Sequence, residues 1–514
     1  MVIQNPQTIS LSVPKRPADN VLDSSYQVPP QAVFWPAENV LPQIFPMRKM
    51  TAPDDAPADS YHKNSLPGVP WAYPYLVMMG SGPKYYVLRK GPSGMFVNNG
   101  TFDESGKYST GNAGVVEWPN PVAGTHEIIV DVFDQEGQIT WRHEHVCGDM
   151  SKHIVVSPSG AGSGNGSSAA NAMSWANAYL GDTTLSPTQG KVLHLLGGNY
   201  PATIYQIFPQ YHSRNIVHYS ADNPENGKPI FKCRFNDQGS HRFISGIEFN
   251  DMTWGYDGII QTGVNANYFV SWRNRFINIR NTADGGNDNE ACHMSTGSGG
   301  SYFRKGYVVH QNYYEDVEVA ATTMFSLEDT VNTCENFVIN SATITDRLLH
   351  PAWFSKAGCK YAMISGNVFN CPTVSGGSVG VIAIQNSATN GSFCRGFAEN
   401  NYIRCNGGIA IKSNGGANGL PIDAINWVRR NSIIGGAVDA RNFDKAEGQS
   451  RYTYFDSNAI QNADYATSGI SSSAEGYSVL RHECVGATGV LYASGNLTPS
   501  FIQYLYKRGS VQGK

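Results

Sequence analysis

Between residues 151 and 490, short apolar runs of strand length recur between polar turns. His153-Ile-Val-Val-Ser157, Val192-Leu-His-Leu-Leu196, Val379-Gly-Val-Ile-Ala-Ile384 and Gly408-Ile-Ala-Ile-Lys412 are too short for helices. An Asn-x-large-apolar element punctuates the same region at Asn274-Arg-Phe276, Asn312-Tyr-Tyr314, Asn367-Val-Phe369, Asn401-Tyr-Ile403, Asn431-Ser-Ile433 and Asn458-Ala-Ile460. From Asn367 onward its spacing is roughly 30 residues, within the range of internal-repeat architectures. Asn340-Ser-Ala-Thr-Ile344 fills the longest gap as a degenerate copy, and Gly246-Ile-Glu-Phe249 precedes the first. Each copy predicts one layer of a stack. Asn tolerates the left-handed backbone of a sharp bend, and its amide can bond the equivalent side chain one layer away. The apolar residue two positions on then points inward, because side chains alternate along a strand.

The pattern differs upstream. Tyr85-Tyr-Val-Leu-Arg89, Glu117-Trp118, Thr125-His-Glu-Ile-Ile-Val-Asp-Val-Phe133 and Ile139-Thr-Trp-Arg142 are strand-like runs. They are separated by turn signals at Gly91-Pro-Ser-Gly94 and Asp134-Gln-Glu-Gly137, and predict a small immunoglobulin-like β-sandwich over 76–150. Residues 1–75 hold about half of the prolines, interleaved with Phe34, Trp35, Phe45, Trp71, Tyr73 and Tyr75. Proline fixes φ and removes a donor, so this stretch is expected to be neither helix nor central strand. An extended attachment arm that lays aromatic anchors on another surface accounts for both features.

His153–Gly160, the small-residue segment Ala169–Tyr179 and Val192-Leu-His-Leu-Leu-Gly-Gly-Asn-Tyr200 follow one another as strand, amphipathic helix and strand. That order resembles the entry of right-handed parallel β-helix proteins of the pectate-lyase-like class, in which the helix caps the open end of the stack. The resemblance implies an all-β chain: a right-handed parallel β-helix over 151–490, the sandwich and arm before it, and a cap or tail over 491–514. The module order is most similar to phage tail-spike and related appendage proteins. It implies a virion protein, a homotrimer by analogy, joined through residues 1–75 to other tail proteins. Its β-helix would bind, and in some cases cut, a host cell-surface polysaccharide. The alternative is a secreted, extracellular polysaccharide lyase or hydrolase of the same class.

Composition narrows the setting. The formal charge of −4 gives no basic field for nucleic acid, and no apolar run suits a transmembrane helix. Met1-Val-Ile-Gln-Asn-Pro6 lacks the pattern of a secretory signal, which favours synthesis and assembly in a host cytosol. Nine scattered cysteines without a CxxC pair read as small core residues rather than a disulfide framework.

Candidate chemistry falls in three clusters. The loop Asp284-Gly-Gly-Asn-Asp288-Asn-Glu290 offers oxygen ligands for Ca2+, the one cofactor considered, although it departs from EF-hand spacing and is also ordinary turn composition. Glu315 and Asp316, with Glu318, Glu328 and Asp329 nearby, form an acidic group. It is either a solvated rim or a source of the paired carboxylates that glycoside hydrolysis needs. Lys356, with Arg347, His350 and Lys360, offers the base and cations of a polysaccharide lyase, or scattered surface charge. Glu315, Asp316 and Lys356 are the catalytic candidates. Trp272, Tyr313, Tyr314 and Trp353, with Arg347 and His350, are the substrate-binding candidates, because aromatic faces suit sugar rings. Gly376-Gly-Ser378-Val-Gly380 and Gly164-Asn-Gly166-Ser-Ser-Ala169 match loose nucleophile and dinucleotide patterns, but neither lies in the strand-turn-helix setting its chemistry requires.

Overall fold

The computed structural model describes Arg48–Lys49, most of residues 60–178 and, from 190 to 482, the strands with part of the turns joining them. Residues 1–47, 50–59 and 483–514 lie outside the described residues, and with them most of the expected arm and the expected tail.

From His153 onward the chain builds three parallel sheets and visits them in rotation. Val192–Leu195 enters the first sheet, Gly198–Asn199 the second and Tyr205–Phe208 the third; Asn215–His218 then returns to the first. Among the described residues the first sheet holds fourteen strands and the others ten each. Pairing is in register from layer to layer. In the second sheet one column runs Phe231, Phe249, Phe276, Tyr314, Ile344, Phe369, Ile403, Ile433 and Ile460. Six of these, Phe276, Tyr314, Phe369, Ile403, Ile433 and Ile460, are the apolar positions of the Asn-x-apolar element. Those whose side chains are described are fully buried in one core cluster. The Phe249, Phe276 and Tyr314 rings stack at 5.1 and 5.2 Å between centroids, nearly parallel.

The asparagines form the expected ladder, with one correction. The left-handed residue at this corner is the one before the Asn: Arg273 (φ 52), Gln311 (φ 53), and Gly246 (φ 70) in front of Ile247. That frees the Asn to serve the layer before it. Asn274 Oδ1 accepts from Ile247 N at 3.0 Å and its Nδ2 donates to Ile244 O at 2.9 Å. Asn312 repeats this on Asn274 N (2.8 Å) and Ser271 O (3.1 Å). Asn401 does the same on Asn367 N and Ile364 O, and Asn431 on Asn401 N and Ala398 O. Each side chain thus closes one backbone donor and one acceptor that the turn leaves buried. Asn340 is not a rung, because it ends the first-sheet strand Thr333–Asn340; Ile344 does fall in the apolar column.

The segment expected as a capping helix is broken up. Ala169–Asn171 is a 3-10 turn, Met173–Ser174 pairs with His153–Ser157, and only Trp175–Ala178 is α-helical among the described residues. Trp175 still covers the interior, with its ring 5.5 Å from Tyr200 and 5.1 Å from Phe231.

Before the layered region stand two mainly antiparallel sheets. One contains Trp71–Met78, Ala113–Trp118 and Phe96–Asn98, with Arg48–Lys49 at its edge. The other contains Asn64–Ser65, Gln138–Cys147, Gly124–Phe133, Lys84–Lys90 and Tyr108–Gly111. Ile128, Val130 and Val132 alternate into their shared core. The boundary expected at 75/76 falls inside Trp71–Met78. Pro74 is tolerated there because it pairs with Val115 on one side, while described pairing on the other begins at Val77. The core of this two-sheet module continues into the outer face of the first parallel sheet through Val192, Val217, Phe243, Val270, Trp272 and Val308. Phe243 lies 4.4 Å from the Tyr61 ring, and Arg273 reaches Glu117 at 3.3 Å.

Two substitutions test this account. Asn401→Ala leaves Asn367 N and Ile364 O unpaired in the interior and is expected to cost about 2–4 kcal/mol in urea unfolding. Phe276→Ala removes a ring stacked on both sides and is expected to cost about 3–5 kcal/mol, with Phe276→Leu clearly milder.

Candidate functional site

The acidic cluster lies at the second bend of the layer. Tyr314 and Val317 are both buried, although three positions apart on a strand they would face opposite ways. The left-handed residue between them, Asp316 (φ 53), resets the alternation. Asn278 (φ 52) does so between Phe276 and Ile279, and Asp251 (φ 51) between Phe249 and Met252. Asp251, Asn278 and Asp316 therefore occupy one bend position in three successive layers. Short polar side chains favour this backbone region and can bond locally there.

Charges at the bend are paired across layers. Asn278 Nδ2 donates to Asp251 Oδ1, and this bond, helped by Lys232 at 3.4 Å, holds the Asp251 carboxyl below its ordinary value. Arg280 forms an ion pair with Asp316, donates to its carbonyl at 2.9 Å and lies 3.9 Å from Glu318. Beside the bend, the residues that follow the ladder position make an outward row: Glu248, Arg275 and Tyr313 are in register. Arg275 Nε is 3.4 Å from Glu248, its guanidinium lies 4.9 Å over the Tyr313 ring, and Tyr313 donates to Glu315 Oε2 at 3.0 Å. In the layer before, the in-register residue is Ile230, and Lys228, two positions ahead of it, lies 3.9 Å from Glu248. Across these three layers the result is a strip with a charged or aromatic group about every 4.8 Å, buried at Glu248 and partly exposed at Arg275 and Tyr313.

The structure brings Tyr313, Glu315 and Asp316 together on this strip. Trp272 and Tyr314 are corrected, because both are buried and taken up by packing. Trp272 donates to Gln311 at 2.9 Å and belongs to the core shared with the two-sheet module. Tyr314 stacks on Phe276 and bonds His293 Nδ1 at 3.1 Å inside the stack, where His293 also meets Ser271 at 2.7 Å. Trp353 lies in the third-sheet strand Ala352–Ser355, paired with Thr323 and Ala383. Lys356, Arg347, His350, Asp284, Asp288, Glu290, Glu328 and Asp329 lie outside the described residues. Among the described residues, no group of three or more His, Cys, Asp or Glu side chains is arranged to hold a metal ion, and no helix is long and apolar enough to cross a membrane. Cys147, Cys233 and Cys292 are buried free thiols; burial pushes that of Cys233 up to about 12, which suits packing rather than reactivity.

Sequence reasoning missed Glu248, Asp251, Arg275, Asn278 and Arg280. The x of each Asn-x-apolar copy was the available signal, since it must face outward once the apolar residue faces in. The bend residues carried none, because their partners lie 27 and 36 residues away. No protein-family profile matches the chain, and no curated protein matches it.

Because Arg280 and Asp316 are each about a third exposed, Arg280→Ala is expected to change stability by no more than about 1 kcal/mol, measured by thermal or urea unfolding. The strip is then a surface on which side chains can be replaced without loss of the fold.

Proposed function

We propose that the chain is a phage virion appendage, a tail spike or related structural protein, whose layered region is a right-handed parallel β-helix that binds a host cell-surface polysaccharide. In this reading the arm expected over residues 1–75, of which Asn64–Ser65 and Trp71 onward are taken up by the two-sheet module, fastens a homotrimer to other tail proteins, and that module is an immunoglobulin-like spacer. The observation that carries it is the outward row of Glu248, Arg275 and Tyr313, one per layer, flanked by Glu315 and the Arg280–Asp316 pair. An extended polymer lying along the stack meets a regular series of charged, hydrogen-bonding and aromatic groups, whereas a small ligand would use only one layer. The pairing of Glu315 with Tyr313 and of Asp316 with Arg280 favours binding over cleavage.

The purified chain is expected to bind host capsule or lipopolysaccharide. Arg275→Ala and Tyr313→Ala should each weaken binding about tenfold or more, since stacking and charged contacts to sugars contribute on the order of 1–2 kcal/mol apiece. Release of reducing ends or of absorbing unsaturated uronates would move the assignment to the polysaccharide hydrolase or lyase reading. Neither binding nor product from any surface glycan of the host would overturn it.

A further inference from the structure

Five histidines are buried where the two-sheet module meets the first parallel sheet: His62, His143, His145, His153 and His194. They come from the turn after Ser60, the strand Gln138–Cys147 and the first-sheet strands His153–Ser157 and Val192–Leu195. On Gln138–Cys147 they occupy alternate inward positions with Trp141 and Cys147, where an ordinary strand would place apolar residues. The set is contiguous. His153 Nδ1 and His194 Nε2 are 2.8 Å apart, the His143 and His145 rings 5.7 Å, and His145 Nε2 lies 2.9 Å from Ser65 Oγ. The His62 ring stands edge-on to Tyr73 at 4.8 Å and to Phe243 of the layered region at 6.1 Å. Among the described residues, neither ring nitrogen of His62 has a hydrogen-bond partner, nor does Nδ1 of His194.

Such a seam is stable only while its imidazoles are neutral. The His153–His194 contact needs one ring to donate and the other to accept, so a second proton removes the acceptor. Like charges surround the rest. His62 faces His143, His241 and Lys63, His145 faces His143, His126 and His153, and His194 faces His153. Asp149 acts the other way on His153. Burial holds His62, His145 and His194 well below the ordinary value of 6.5 and takes His153 down to about 4. Once exposed, the same rings return to about 6.5. A base whose value is lowered in the docked state stabilises that state fully above about 6.5, and the stabilisation is lost as pH falls from there towards 4.

We propose that this seam is an acid-released latch, in which proton uptake by the buried histidines separates the two-sheet module from the layered region while the stack itself stays folded. The layered region buries polar groups of its own, among them Asn215, His218, Gln261, His293 and His310, but its main core cluster is apolar, whereas the seam gathers five imidazoles from both partners.

Hydrogen-exchange mass spectrometry on the full chain, corrected for the intrinsic effect of pH, tests this. Between about pH 6.5 and pH 4.5, peptides covering 60–65 and 138–147 are expected to lose protection about tenfold or more, while peptides spanning Phe276 and Ile403 keep theirs. His62→Phe, which fills the same space without titrating, should move the transition down by about 0.3 pH unit or more. The latch is overturned by a seam still protected at pH 4, by loss of seam and interior together, or by an unmoved transition in a folded His62→Phe chain. Should that variant not fold, the profile of the unaltered chain still decides, since the first two outcomes need no substitution.

Discussion

The in-register stacking of one layer on the next is the constraint on which the rest of this protein depends. Parallel strands about 4.8 Å apart place chemically equivalent positions directly over one another. Every layer must therefore present an apolar residue at each inward site and an outlet for the backbone groups of each bend. The column from Phe231 to Ile460 meets the first demand, and the Asn ladder meets the second. Neither works alone. Burying a turn without the ladder would strand donors and acceptors at about 1–3 kcal/mol each, and a ladder without the apolar column would have no dry interior to serve.

The bends show how a small backbone device serves both core and surface. Left-handed residues at Arg273 and Gln311 turn the chain from the first sheet into the second, and those at Asp251, Asn278 and Asp316 turn it again. Because each resets the side-chain alternation, apolar residues on both sides of the second bend face the interior. The bend residue itself is left at the rim. Polar rungs consequently accumulate outside, where ion pairs such as Arg280–Asp316 contribute little to stability.

Where the two-sheet module docks, the same stacking logic is met by a different chemistry. The outer face of the first sheet is covered here by aromatic residues and by histidines from both partners. Apolar contacts such as Tyr61 on Phe243 and Tyr73 on Phe243 hold at any pH, whereas the imidazoles hold only while neutral. The seam thus combines a pH-independent attraction with a pH-dependent cost, and the balance between them sets where it opens.

Much of the layered region was legible in the chain, since strand alternation and the Asn-x-apolar spacing are local patterns that stacking forces to repeat. The inward position of Phe276 and Ile403 and the ladder role of Asn274 and Asn401 follow from that spacing. Tertiary structure decided the rest, because it rests on contacts between residues far apart in sequence. His145 meets Ser65 at a separation of 80 residues, and Arg273 meets Glu117 at 156. Trp272 and Tyr314 read as sugar platforms by residue type, yet docking and stacking bury them. His143 and His145 are likewise buried, because the docked layers close over them. A side chain's type limits what it can do, but only the neighbours that packing brings settle whether it faces water, a ligand or the core.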